Sequence, residues 1–143
     1  MTGIGIRQVA HVCVLSHDIK ASEHFYCTVL GLKKVFNFTR KGGVMGFYLD
    51  AGGRTNVEVF ENPNAPFAAQ GQADHLCFEV ASLDKAMEAL RAHKIEIRGN
   101  AKSLGVDDTW QAWIKDPSGT KIELFEYTVK SAQFAGGDRE ANW

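Results

Sequence analysis

Ala10-His11-Val12-Cys13-Val14 is echoed in this chain by Asp74-His75-Leu76-Cys77-Phe78, and Val57-Glu58-Val59-Phe60-Glu61 by Ile122-Glu123-Leu124-Phe125-Glu126. The displacement from His11 to His75 differs by one position from that between Glu58 and Glu123, and Asp50 and Asp116 open the turns leading into the two glutamates. Two echoes at near-equal spacing indicate a duplicated module.

The segments between these anchors match as well. Gln8 to Leu15 is rich in β-branched and apolar residues around one His, which predicts a buried strand. Asp18 can cap a helix over Ile19 to Leu30, whose Ile19, Phe25, Tyr26, Val29 and Leu30 fall mostly on one face before Gly31 ends it. Strands are expected near Lys33 to Arg40, Val44 to Asp50 and Arg54 to Glu61, separated by Gly42-Gly43 and Gly52-Gly53. Asn62 to Gly71, with its prolines and asparagines, suits a connection. The order then repeats: a strand over Ala73 to Val80, then a helix capped by Ser82, running to about His93 and presenting Leu83, Ala86, Met87 and Leu90 inward. Strands follow near Ile95 to Arg98, Thr109 to Lys115 and Thr120 to Tyr127, the last two joined by Asp116-Pro117-Ser118-Gly119. The expectation is an α+β domain over residues 1–143, built of tandem β-α-β-β-β modules at about 6–61 and 73–127. Residues 128–143 are expected to be a loosely held tail.

With 143 residues, 45% of them hydrophobic, the chain can bury one ordinary core. Its 16 basic and 17 acidic residues give a net charge of -1, which argues against nucleic acid or an anionic membrane as partner. No long apolar span or secretory leader is visible, and three cysteines without a close pair suit free thiols. A cytoplasmic protein is expected.

Each module places one His in its first strand and one Glu between apolar neighbours in its last. A carboxylate on a covered strand face costs several kcal/mol unless it is paired or coordinates a cation. Either His alone suits a hydrogen-bonded core position and either Glu alone a solvated face. Recurrence of both types at matched positions points to a divalent metal held by His11, Glu58, His75 and Glu123. His17, His24 and His93 occupy corner or helix positions, and Cys13 and Cys77 are better read as small buried hydrophobes.

With the duplication and these four residues assembled, the chain resembles the vicinal oxygen chelate superfamily, and within it the glyoxalase I-like proteins. His11, Phe25-Tyr26, Leu30-Gly31-Leu32, Asp74-His75 and Asp116-Pro117-Ser118-Gly119 before Ile122-Glu123-Leu124 carry the resemblance, which extends from Val9 to Tyr127. It implies that the two modules form a cupped, barrel-like mixed sheet with one divalent ion per site (Ni, Zn, Co, Mn or Fe) and, in short members, a homodimer in which His11 and Glu58 of one subunit meet His75 and Glu123 of the other. It implies proton transfer beside a carbonyl of a hemithioacetal or other 2-oxo substrate, with Glu123 first and Glu58 second as base. Asn62 falls where such enzymes help to hold glutathione, whereas their carboxylate-binding arginine corresponds here to Leu15. The resemblance also admits an epimerase, an extradiol-type dioxygenase, or a drug-sequestering protein using Phe47, Phe60, Trp110 and Trp113.

Overall fold

The computed structural model describes residues 4–65 and 73–143. The chain divides into two compact units, Met1–Phe67 and Ala68–Trp143, each containing one of the two modules. From residue 66 the expected connection lies outside the described residues.

The first unit runs β1 (His11–Ser16), α1 (Ile19–Glu23), β2 (Lys33–Arg40), β3 (Gly43–Asp50) and β4 (Asn56–Glu61). Its sheet has the order β1-β4-β3-β2, with β1 parallel to β4 and the other pairs antiparallel. Asp18 caps α1 by accepting from the backbone of Lys20 and Ala21. The helix continues over His24–Val29 with a wider, π-helical winding, seen where the Leu30 N–H donates to the Phe25 carbonyl. This stretch carries Phe25 and Tyr26, both buried, as neighbours.

The second unit repeats the plan: β5 (Leu76–Glu79), α2 (Leu83–Ala92), β6 (Ser103–Leu104), β7 (Trp110–Lys115) and β8 (Lys121–Glu126), followed by the short α3 (Ala132–Ala135). The sheet order is β5-β8-β7-β6, again with one parallel pair, β5 and β8. Ser82 accepts from Lys85 at the start of α2, and the Glu126 carboxylate accepts from the Leu83 N–H at 2.6 Å. The α+β class and the repeated β-α-β-β-β order are those expected from the sequence, realised as two four-stranded mixed sheets, neither of which closes on itself.

Strand alternation decides what each sheet buries. Val57 and Val59 of β4, with Phe47 and Leu49 of β3, are almost wholly buried on one face, the face that receives α1. In the second unit Ile122 and Leu124 of β8, with Ala112 and Ile114 of β7, pack beneath Leu83, Met87 and Leu90 of α2. Glu58 and Glu123, one residue out of phase with these runs, are turned to the opposite face of their sheets.

Four expectations need correction. The first strand, expected to be buried, is largely exposed along β1, with only Val14 and Ser16 buried, and Cys13 and Cys77 are exposed and not buried hydrophobes. Two segments differ in form. The strand expected at Ile95 to Arg98 is absent: Arg98–Asn100 form a 3-10 turn, and β6 is reduced to Ser103–Leu104. Gly99 and Asn100 both adopt positive φ, which an extended strand cannot accommodate. Nor is the segment after Thr128 wholly loose. Ser131 is fully buried and shares hydrogen bonds with Thr109, Thr128 and the Asp108 carbonyl, while Gln133 donates to Asp107. Among the described residues no helix is long and apolar enough to cross a membrane.

Candidate functional site

In the first unit β1 lies parallel to β4 with Cys13 opposite Glu58 and Val14 opposite Val59. His11 and Cys13 therefore share the face of Glu58, away from the helix. His11 Nε2 stands 3.7 Å from Glu58 Oε2, and both side chains remain partly open, at 44% and 16% exposure.

The second unit holds the equivalent pair more tightly. Cys77 lies opposite Glu123, His75 immediately precedes β5, and His75 Nε2 is 3.1 Å from Glu123 Oε2. The other ring nitrogen, Nδ1, is 2.9 Å from Asp74 Oδ2, and the second Asp74 oxygen accepts from Lys121 Nζ at 2.6 Å. Lys121 and His75 hold the Asp74 carboxyl below its ordinary range. The Asp74 contact at Nδ1 fixes the ring so that Nε2 faces Glu123, the arrangement that orients a metal-binding imidazole.

Glu123 is 7% exposed. Burial pushes its carboxyl up, against the opposing pull of His75 and a hydrogen bond from Cys77. The Cys77 thiol is itself pushed up to about 12, by burial and then by the neighbouring Glu123 charge. Cys13 is raised for the same two reasons, with Glu58 as its neighbour. Both thiols thus stand as protonated donors beside carboxylates.

These donors fit a divalent cation. Two ligands about 2.1 Å from one ion and at right angles lie about 3 Å apart, close to the separation of His75 and Glu123. A cation would also relieve the cost of charge on the buried Glu123. Among the described residues no three His, Cys, Asp or Glu side chains are gathered as a metal cluster. Each unit presents a two-donor partial set, and His11, Glu58, His75 and Glu123 are its members.

The expected substrate-binding residues are placed unevenly. Phe60 is on the Glu58 face and packs against Phe38 with centroids 4.7 Å apart. Gly46, its cross-strand partner, leaves it room: a Cβ there would stand 2.6 Å from the Phe60 ring and 2.5 Å from the Val59 carbonyl. Trp113 meets His75 edge-on at 4.7 Å. Phe47, fully buried opposite Val59, is on the helix-facing side, and Trp110 alternates with Glu123 through its pairing with Glu126, beneath Lys102. Neither shares the sheet face of Glu58 or Glu123. Asn62 uses its Oδ1 to accept from the Asn64 backbone.

The structure adds residues the sequence reading did not single out. Phe36 stacks on Tyr48 at 5.0 Å and meets Phe38 edge-on, and Tyr48 in turn approaches His11. Together with Phe60 they make an aromatic wall on the His11 side of the first sheet. Phe36-Asn37-Phe38-Thr39, in which each Phe is followed by a polar residue, was its available signal. Asp74 and Lys121 emerge as the supports of His75.

Residues 8–124 match the family profile described as the Glyoxalase/Bleomycin resistance protein/Dioxygenase superfamily. The uncharacterized protein YaeR of Escherichia coli (strain K12) is 28% identical over 135 residues, spanning 86% of this chain and 98% of YaeR. A glyoxalase family protein from Enterococcus faecalis superposes with a TM-score of 0.72 at 21% identity, over 86% of this chain and all of that one. Lactoylglutathione lyase from Agrobacterium tumefaciens gives a TM-score of 0.65 at 22% identity, over 86% and 96% of the two chains.

Proposed function

Because this chain belongs to the Glyoxalase/Bleomycin resistance protein/Dioxygenase superfamily, we propose that it is a metal-dependent, glyoxalase I-like lyase or isomerase that moves a proton beside a carbonyl. The substrate class is a hemithioacetal or another 2-oxo compound. His11, Glu58, His75 and Glu123 are the protein ligands of one divalent ion, and Glu123 is the base, with Glu58 as its counterpart. The observation that carries this reading is the His75–Glu123 pair, 3.1 Å apart with the carboxylate buried between Ile122 and Leu124, echoed by His11 and Glu58.

When bound, the ion supplies Lewis acidity toward two adjacent substrate oxygens and stabilises the negative charge that develops as the neighbouring C–H is broken. The chain's residues do the rest. Burial and the charge of a bound cation act in opposite directions on the basicity of Glu123. Its carboxylate removes the proton from one carbon and, held in place by β8, returns it to the next. Asp74, anchored by Lys121, keeps the His75 ring from turning. Phe36, Phe38, Tyr48 and Phe60 offer an apolar surface on the first unit against which substrate carbon is shielded from water.

Solvent deuterium exchange tests the reaction. Protein loaded with nickel, zinc or cobalt is incubated in deuterium oxide with methylglyoxal and a series of thiols. Label is expected at the carbon beside the carbonyl, and Glu123→Gln is expected to slow incorporation by about 10²–10⁴-fold. The aromatic wall also favours a second reading, a protein that sequesters a flat apolar compound. A compound bound tightly without exchange, bond cleavage or oxygen uptake in any metal form replaces the enzyme by that reading.

A further inference from the structure

The second sheet has an open stretch of edge. β6 reaches β7 only through Ser103 opposite Gln111 and Leu104 opposite Trp110. From Ala112 to Lys115 the outer side of β7 has no strand partner among the described residues. The chain leaving α2 turns there instead of pairing, and between it and β7 is a cleft of about 390 Å³. Its walls bear Arg98, Lys115 and Lys121, the single carboxylate Glu96, the backbone of Gly99 and the indole of Trp113.

Three cations against one carboxylate leave the lining positive. Lys121 is held by Asp74, but Arg98 and Lys115 have no ion pair with a carboxylate among the described residues. Like charges gathered around one concavity repel each other until an anion enters. A guanidinium grips a carboxylate or phosphate through two parallel hydrogen bonds, and an ammonium adds a point charge without geometric demand. The unpaired edge of β7 offers further backbone donors. Trp113 belongs to both places, lining this cleft and standing 4.7 Å from His75. Lys121 also does so, through Asp74.

We propose that this cleft is an oxyanion site that receives the carboxylate or phosphate of the substrate whose reacting end lies at His75 and Glu123. The preferred substrate is then an acid or phosphate ester of a 2-oxo or 2-hydroxy compound, bound more tightly than an uncharged one. The link to the reacting end rests on the function proposed above; the anion site itself does not.

The experiment separates the two. Isotope-labelled protein is titrated with inorganic phosphate or acetate at constant ionic strength, following the Trp113 indole N–H and the amides of 98–99 and 113–115 by NMR. Saturable shifts confined to these signals are expected. Arg98→Gln and Lys115→Gln should each weaken binding about tenfold, as loss of one charge-assisted hydrogen bond does. Lys130→Gln, on an exposed turn elsewhere, should change nothing. Preference for phosphate or for acetate identifies which oxyanion the site takes. His75→Ala should retain anion binding. If it abolishes binding, the anion sits on a metal and the cleft proposal falls. The proposal falls equally if neither anion gives saturable shifts, or if Arg98→Gln and Lys115→Gln bind like the parent. In the exchange assay the same two variants should raise KM about tenfold for an anionic 2-oxo substrate and leave an uncharged one unaffected, with kcat retained. Equal effects on both substrates would detach the cleft from the reaction. If no substrate exchanges, the proton-transfer reading fails while the titration still decides the anion site.

Discussion

Asp74 stands between two partners, accepting from Lys121 with one oxygen and meeting His75 Nδ1 with the other. It touches neither Glu123 nor the Nε2 that faces it, so it acts through the orientation of the imidazole. Asp74→Asn preserves shape and removes charge. It is expected to weaken zinc binding about 10–100-fold, the range for loss of a carboxylate behind a metal-bound His, with isothermal titration calorimetry as the measurement. Unchanged affinity would mean that His75 is not a ligand. The four His and Glu positions were legible in the sequence because they recur in register and because a carboxylate between apolar strand residues needs a reason to be there. The aromatic residues were less legible for a physical reason: a Phe or Trp is apolar on either face of a strand. Only cross-strand pairing put Phe47 behind the sheet with Val59, and Phe60 in front with Glu58.

The elements with strong periodicity and caps formed where the sequence placed them. Asp18 and Ser82 cap their helices, and Asp50 and Asp116 accept from turn backbones at Gly52 and at Ser118 and Thr120. In α2 the stripe Leu83, Met87 and Leu90 is buried to within a few per cent. Leu90→Ala should therefore cost about 2–5 kcal/mol in urea unfolding, through lost transfer energy and the cavity left behind. Elements that depend on partners distant in sequence were hidden. Ile95-Glu96-Ile97 alternates like a strand, yet Arg91 bonds both the side chain and the carbonyl of Asn100, pinning the following turn to α2. The segment after Thr128 has no apolar periodicity because polar side chains dock it. Ser131→Ala would remove the hydroxyl shared by Thr109, the Thr128 N–H and the Asp108 carbonyl. Leaving these groups short of partners is expected to cost about 1–3 kcal/mol. A change within a few tenths of a kcal/mol would show that 128–135 adds nothing to the second unit's stability.

On the scale of the whole molecule, one feature of the duplication is decisive: each compact unit carries one His–Glu pair, and among the described residues no three His, Cys, Asp or Glu side chains are gathered so that they could hold a metal ion. Under the proposed function, a single ion with these four protein ligands would draw on one pair of each kind. Metal removal should then lower the stability of both units together, by about 4 kcal/mol when free metal had stood at a thousand times its Kd, seen as a fall in Tm on chelation. The two pairs can come from one chain or, in a symmetric homodimer, from two, and the second arrangement is the one we expect. An isologous dimer would then hold two equivalent sites, each with His11 and Glu58 from one subunit and His75 and Glu123 from its partner. Chains bearing His11→Ala or His75→Ala would each lack a ligand at every site when alone. In their heterodimer both substitutions fall in one site, and the other is complete. A purified, differently tagged heterodimer should therefore bind one ion at parental affinity and regain deuterium exchange at one of its two sites. If exchange of subunits is verified and neither metal binding nor activity returns, each site is built within a single chain. The same four residues then remain the ligands, and the dimer is not needed to assemble them.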